Sequence, residues 1–212
     1  MEKIKIAVLI SGGGTNLQAL IDAQTAGTLV SGEIAAVISS SPDAYGLERA
    51  RRAGIPAYVV DRKTAGSQED FEAKLIERLT EAGAELIVLA GFLCLLSADF
   101  TGRYPERILN VHPSLIPAFC GKGFYGLKVH EAALSYGVKV TGATVHFVNE
   151  VPDGGRILCQ KAVAIRRNDT PETLQKRVMK QAEWVILPRT TEKVARKLLA
   201  EKKGKERKHG KV

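Results

Sequence analysis

Hydrophobic and polar residues alternate in blocks along the first hundred residues. Apolar runs at residues 4–10, 33–39, 56–60 and 85–90 have the length of strands. The segments between these runs place apolar side chains three or four positions apart, which is the spacing of one helix face; they cover residues 16–26, 45–53 and 68–82. This alternation predicts a doubly wound α/β fold with a mostly parallel, Rossmann-like sheet.

The pattern changes after residue 100. A short strand at 107–111 runs directly into His112, and a short helix is expected near 127–135. Residues 139–148 and 156–165 then alternate in polarity, and the turn VPDGG lies between them. We therefore predict an antiparallel strand pair that follows the parallel part of the sheet.

A long helix is expected to close the fold. Thr170 is a candidate N-cap and Pro171 suits the first helical position, whereas Pro188 is expected to bend or end the helix. Neither an internal repeat nor a linker interrupts the pattern. We predict one domain over residues 1–200, followed by a basic tail over residues 201–212.

Composition excludes several classes of protein. The chain has 212 residues, 45% of them hydrophobic and 25% charged, which is ordinary for a globular protein. Apolar runs are too short to span a membrane, and the amino terminus does not resemble a signal peptide. Three scattered cysteines suit neither a disulfide framework nor a metal site, so we expect a cytoplasmic protein. The net charge of +8 is concentrated in the tail, which we interpret as a solvated chain end.

A glycine loop, SGGGTN, separates the first strand from the first helix. Its backbone N–H groups and the helix N-terminus together favour an anion. Leu17 stands where a dinucleotide fingerprint needs its third glycine, and the Gly-Lys-Ser/Thr of a P-loop is missing. The loop therefore predicts either a site for one phosphate or a tight turn without a ligand.

Asn110 and His112 lie two positions apart at the end of a strand, so their side chains share one face. An amide and an imidazole in this arrangement can stabilise the oxyanion of an acyl transfer and relay protons. A structural, hydrogen-bonded histidine is the alternative. We interpret His130, expected on an exposed helix face, and His146, expected in a strand, as structural.

Asp153 begins the sequence Asp-Gly-Gly, which in isolation is typical of a hairpin turn. If this loop folds back to His112, the carboxylate favours the imidazolium and raises the pKa of His112. The sequence therefore leaves two interpretations of Asp153: a residue of a hairpin turn, or a carboxylate that acts on His112.

Several segments taken together resemble the folate-dependent formyltransferases. ILNVHPSLIP and the Asp-Gly-Gly loop are shared by such enzymes generally, and the opening SGGGTNLQAL is similar to the glycinamide ribonucleotide (GAR) formyltransferases. The resemblance runs from about residue 4 to residue 188. It implies transfer of a formyl group from 10-formyltetrahydrofolate to the amine of GAR in purine biosynthesis, without a metal. It implies small-molecule substrates, neither nucleic acid nor a membrane as partner, and a homodimer as a possible assembly.

The resemblance also implies roles for individual residues. Asn110, His112 and Asp153 match the catalytic trio, in which protonated His112 and Asn110 hold the oxyanion. The positions that match GAR-binding residues are Gly13, Gly14, Thr15, Asn16 and Glu183. The positions that match folate-binding residues are Gln68, Leu93, Cys94, Leu95, Leu96, Asn110, Asn149, Glu150, Val151 and Pro152. The chain departs from the family at Gln68 and Cys94, where some members carry arginine, and in its long 117–126 loop.

Two alternatives differ in substrate or in class. The basic tail suggests a methionyl-tRNA formyltransferase, although such enzymes carry a further C-terminal domain that we do not expect here. A non-catalytic nucleotide-binding module would use only the glycine loop, and it predicts that His112 is dispensable.

Overall fold

Seven strands form the central sheet of the computed structural model, which describes residues 2–209, with side chains through residue 206. The strands are β1 (Ile4–Ile10), β2 (Gly32–Ser39), β3 (Ala57–Val59), β4 (Leu86–Leu89), β5 (Ile108–His112), β6 (Val140–Phe147) and β7 (Ile157–Ala164). Their order is β3-β2-β1-β4-β5-β6-β7. Neighbours from β3 to β5 are parallel, whereas β6 is antiparallel to both β5 and β7. The predicted fold class is confirmed.

Helices cover both faces of this sheet. They are α1 (Thr15–Thr25), α2 (Tyr45–Arg52), α3 (Gln68–Glu81), α4 (Ala98–Arg103), α5 (Leu127–Tyr136), α6 (Pro171–Val178) and α7 (Trp184–His209). The sequence analysis missed α4 because six residues are too few to display a helical period. No helix of the described chain is both long and apolar enough to cross a membrane.

The core lies on both sides of the sheet, and β1 contributes to each side. Ile6 and Val8 face the cluster that contains helices α1 and α7, whereas Ala7 and Leu9 face the cluster that contains α3. Every residue of β1 except Lys5 is buried. A strand covered on both faces has no polar side to alternate with, which explains its continuous apolar run.

The terminal helix begins as predicted but does not end where expected. The Thr170 side chain accepts a hydrogen bond from the N–H of Thr173, and Pro171 follows it in the first turn. A five-residue π-helical turn, Met179–Glu183, then separates α6 from α7. Of the two outcomes expected at Pro188, a bend or an end of the helix, the end is not observed, because α7 continues through Pro188. Its later turns bury apolar side chains such as Leu198 in the core, and this packing offsets the hydrogen bond that proline lacks.

The tail prediction concerns residues 201–212, of which α7 includes 201–209. Residues 210–212 lie outside the described residues. The division into a domain and a tail stays a prediction.

His130 is buried in α5, with no exposed surface, so its expected place on an exposed helix face is wrong. Neither ring nitrogen has a hydrogen-bond partner among the residues described. Burial lowers the pKa of His130 to about 4, and the neighbouring His112 adds to this effect. Val129 and Ala133 are buried with it. The buried face of α5 therefore includes His130, which the apolar spacing of this short helix did not indicate.

Candidate active site

Three side chains that the sequence analysis singled out meet beside the end of β5. Asn110 and His112 come from this strand, and Asp153 comes from the loop between β6 and β7. His112 Nδ1 lies 3.4 Å from Asp153 Oδ2, and Asn110 Nδ2 donates to Asp153 Oδ1 at 3.4 Å. The loop therefore folds back to the strand, and the amide, imidazole and carboxylate form one cluster.

His146 completes this cluster, and the sequence analysis did not place it there. The antiparallel register pairs Asn110 with His146. His146 Nδ1 lies 2.8 Å from the Phe147 carbonyl oxygen, to which it must donate. Its Nε2 lies 3.2 Å from Asn110 Nδ2 and 3.5 Å from Asp153 Oδ1, so the ring contacts both the amide and the carboxylate. His146 thus orients the amide of Asn110, and only the strand register could have revealed this contact.

The surroundings of His112 disfavour the protonated form of its ring. The ring is 4% exposed, and burial lowers its pKa; Asp153 and the Phe119 carbonyl push the pKa upward by a smaller amount. Asp153 therefore acts on the pKa of His112 in the predicted direction, but burial has the larger effect and the pKa lies below its ordinary value. Nε2 lies 2.8 Å from the Phe119 oxygen, so both ring nitrogens face hydrogen-bond acceptors. The imidazolium alone can donate to both of these acceptors.

Asp153 is held in place by four neighbours, namely Asn110, His112, His146 and Gly121. Burial alone would raise the pKa of Asp153, but the side chain of His146, the charge of His112 and the N–H of Gly121 outweigh it and lower the pKa. The Gly121 N–H donates to Asp153 Oδ2 at 2.8 Å. A Cβ at Gly155 would lie 1.8 Å from the Phe147 oxygen, so the loop can close this tightly only with glycine there. An ionised carboxylate results.

The glycine loop packs closely against the start of α2. Gly14 has φ of +69°, and a Cβ there would lie 2.6 Å from the Cα of Gly46. The Gly46 N–H donates to the Gly12 oxygen at 3.0 Å. Arg49, which the sequence analysis missed, donates from Nε to the Gly13 oxygen at 2.8 Å. The loop is therefore fixed in one conformation beside a cation, at the N-terminus of α1.

Asn16 and Glu183 form a buried pair at this loop. Asn16 Nδ2 donates to Glu183 Oε2 at 2.7 Å, across 167 positions of sequence. Burial raises the pKa of Glu183 to about 7, and the hydrogen bond from Asn16 opposes that rise. Asn16 Oδ1 is buried and finds no partner among the described side chains. Glu183 therefore lies beside the glycine loop, in the π-helical turn that precedes α7, and its contact with GAR stays a prediction.

The predicted folate wall consists of two loops. After β4, Leu93 and Leu95 are 64% and 62% exposed, while Cys94 between them is partly buried, which raises the pKa of its thiol. Gln68 joins this loop by donating to the Leu95 oxygen at 3.0 Å. The second loop contains residues 149–152 and leads into Asp153; within it, the Asn149 side chain accepts from the Val151 N–H. Among the side chains that the structure describes, residues 2–206, no group of three His, Cys, Asp or Glu is placed to hold a metal ion.

Comparisons with known proteins show what the chain as a whole is similar to. The family model described as formyl transferase matches residues 4–191. Among solved structures, glycinamide ribonucleotide transformylase 1 from Symbiobacterium toebii has a TM-score of 0.83 and 46% identity, and the match covers 90% of this chain and 86% of that chain.

Two curated relatives extend the comparison. The chain is 46% identical over 193 residues to the trifunctional purine biosynthetic protein adenosine-3 of Gallus gallus, covering 91% of this chain and 18% of that protein. It is 43% identical over 176 residues to the chloroplastic phosphoribosylglycinamide formyltransferase of Arabidopsis thaliana, covering 82% of this chain and 60% of that protein. The chain therefore spans less than two thirds of either relative's length.

Proposed function

The chain belongs to the formyl transferase family, and from this premise we propose that it transfers the formyl group of 10-formyltetrahydrofolate to the amine of GAR, a step of purine biosynthesis. The products are formyl-GAR and tetrahydrofolate. One observation carries the proposal: Asn110, His112 and Asp153 converge in the same matched region as a rigid glycine loop suited to one phosphate. GAR carries one phosphate and a free amine, so it suits both features.

GAR binds at the glycine loop in this proposal. The N–H groups of Gly14, Thr15 and Asn16, with Gly13 beside them, take the phosphate. Glu183 takes a ribose hydroxyl; with a pKa of about 7 it can accept or donate a hydrogen bond near neutral pH. The folate lies between the two loops of the predicted wall, with its formyl group at Asn110.

The chemistry then needs only hydrogen bonds and proton transfer. The GAR amine attacks the formyl carbon, and the carbonyl electron pair moves to oxygen. His112 Nε2 then exchanges the Phe119 oxygen for this oxyanion, and Asn110 Nδ2 exchanges its 3.4 Å contact with Asp153, so that both side chains donate to it. This new negative charge adds to that of Asp153, so both favour the imidazolium against the effect of burial. The amine loses a proton to water, the carbonyl re-forms, and the bond to the folate nitrogen breaks as that nitrogen is protonated.

The proposal is tested by following the formyl donor in the presence and absence of GAR. We expect tetrahydrofolate to form only when GAR is present, with one formyl-GAR for each donor consumed. Release of formate independent of GAR contradicts the proposal, and so does turnover that requires methionyl-tRNA instead. A homodimer and a cytoplasmic location stay predictions.

Arg49 supplies a first prediction, because its guanidinium holds the glycine loop from behind. Replacing Arg49 with glutamine is expected to raise KM for GAR about tenfold, the effect of one charge-assisted hydrogen bond. KM for the folate donor is expected to stay unchanged, since Arg49 contacts only the loop and its surroundings. Steady-state kinetics with each substrate varied in turn measures both values.

Arg52 provides the matched control. Arg52 lies on the same helix as Arg49, and both guanidinium groups approach the ring of Tyr45. Arg52 pairs with Glu48, however, and not with the glycine loop. Arg52→Gln is therefore expected to leave KM for GAR at the wild-type value. Equal effects of the two substitutions would mean that overall charge, and not the contact with Gly13, attracts the phosphate.

A further inference from the structure

The loop after β4 presents an apolar surface next to a fixed cation. Leu93 and Leu95 are among the most exposed large hydrophobic side chains of the described chain. Gln68 connects this surface to Arg62: its Nε2 donates to the Leu95 oxygen at 3.0 Å, and its Oε1 accepts from Arg62 Nη2 at 3.2 Å. One side chain therefore joins the exposed leucine loop to the guanidinium.

Arg62 is held in position rather than free in solvent. Its guanidinium carbon lies 5.5 Å from the centre of the buried Phe71 ring, and its backbone N–H donates to the Ser40 oxygen. It is near enough to Cys94 to oppose the rise in the pKa of that thiol. Stacking against a buried ring reduces the conformational entropy that the side chain would lose on binding a ligand.

The guanidinium has spare donor capacity. Within the part of the chain that the structure describes, no carboxylate lies within 4 Å of Arg62. Glu72, the carboxylate that Gln68 also contacts, is already engaged, because it accepts from Gln68 at 2.7 Å and from the Ser97 N–H at 2.6 Å. Arg62 thus offers several N–H groups to an anion beside a patch of exposed leucine side chains.

A cation at the end of an apolar surface suits a ligand that has a ring and a carboxylate. The folate donor has this composition, since a benzoyl ring connects its reacting end to a glutamate. We infer that Arg62 binds a carboxylate of the folate glutamate while Leu93 and Leu95 contact the benzoyl ring. The inference rests on the proposed function, and it names a residue outside the folate set expected from the sequence. Arg62 would also supply a positive charge to the predicted folate wall, in which Gln68 and Cys94 stand where some relatives carry arginine.

Binding of tetrahydrofolate, measured by calorimetry, tests this inference without requiring turnover. The comparison ligand is the same compound with its glutamate replaced by a methylamide, which retains the ring and lacks both carboxylates. We expect the wild-type chain to prefer tetrahydrofolate about tenfold, as for a partly exposed charged hydrogen bond. In R62Q this preference is expected to disappear, whereas binding of the methylamide stays as in the wild type. R62K is expected to retain part of the preference.

Lys63→Gln is the matched control, because Lys63 is the adjacent cation and its side chain is exposed. It removes the same charge and is expected to leave the preference intact. An R62Q chain that still discriminates the two ligands overturns the inference, and so does one that loses affinity for both equally, which would indicate a structural role. Wild-type folate binding without GAR-dependent turnover would instead count against the proposed function alone.

Discussion

Replacing His112 with alanine is expected to lower kcat by about 10²–10⁴-fold, the usual contribution of a group that donates and accepts protons in the transition state. KM for GAR is expected to change little, because the phosphate and ribose contacts that we propose lie at the glycine loop and Glu183. Rapid-quench or steady-state measurement of formyl-GAR formation gives kcat directly. The non-catalytic alternative makes the opposite prediction, that His112 can be removed without consequence.

A second substitution distinguishes a loss of catalysis from a loss of stability. His112 is 4% exposed, so alanine leaves a cavity, and the melting temperature of the variant must be measured beside its activity. His112→Gln fills more of that space and keeps an N–H donor, so it is expected to retain more activity than alanine. An alanine variant that folds and keeps kcat within about tenfold of the wild type would exclude His112 from the transition state.

Replacing Asp153 with asparagine is expected to lower kcat about 100-fold, at the lower end of the range for acid–base groups. Asparagine retains an oxygen for the Gly121 N–H, so the loop is expected to keep its conformation. What is lost is the negative charge that opposes the effect of burial on His112. Without this charge, the imidazolium form of His112 is less populated when negative charge develops on the formyl oxygen.

The same substitution predicts a change in pH dependence. Burial lowers the pKa of His112 and Asp153 raises it, so removing the charge of Asp153 lowers that pKa further. If the imidazolium is the active form, activity falls as pH rises through the pKa of His112. This fall is therefore expected at a lower pH in Asp153→Asn than in the wild type. A profile of kcat/KM between about pH 5 and pH 9 measures the shift.

Asp99→Asn serves as the control for charge, since Asp99 is exposed on α4 and outside the cluster. It is expected to leave both kcat and the pH profile unchanged. If Asp153→Asn shows reduced kcat with an unshifted profile, Asp153 acts by orienting Asn110 and not by stabilising the charge of His112.

Much of the fold was readable from local patterns. β1, with its apolar residues on both faces, and α1, with its helical spacing, were predicted to within one residue of the observed bounds. These elements follow from side-chain periodicity and from burial on both sides of a sheet, which the order of residues expresses directly. The terminal helix was harder, because packing of Leu198 and its neighbours against the core outweighs the local preference of Pro188 to end a helix.

The candidate site likewise contains some residues that the local sequence places and others that only the fold brings together. Asn110 and His112 are two residues apart on one strand, so the pleat alone places their side chains on one face. The glycine loop likewise lies where a strand enters a helix, and the prediction of an anion site there depends on that local geometry. For these groups, residue type and spacing are sufficient, because neighbours in sequence have few conformations available to them.

Other properties came from packing between distant segments. Asp153 reaches His112, His146 reaches Asn110, and Arg49 reaches the glycine loop only because the sheet register and α2 bring them together. The effect of Asp153 on the pKa of His112 is in the predicted direction, but the larger effect of burial is not visible in the sequence, because burial depends on the folded chain. Local order decides which side chains share a strand or a turn; the folded chain decides how deeply each is buried and what lies beside it.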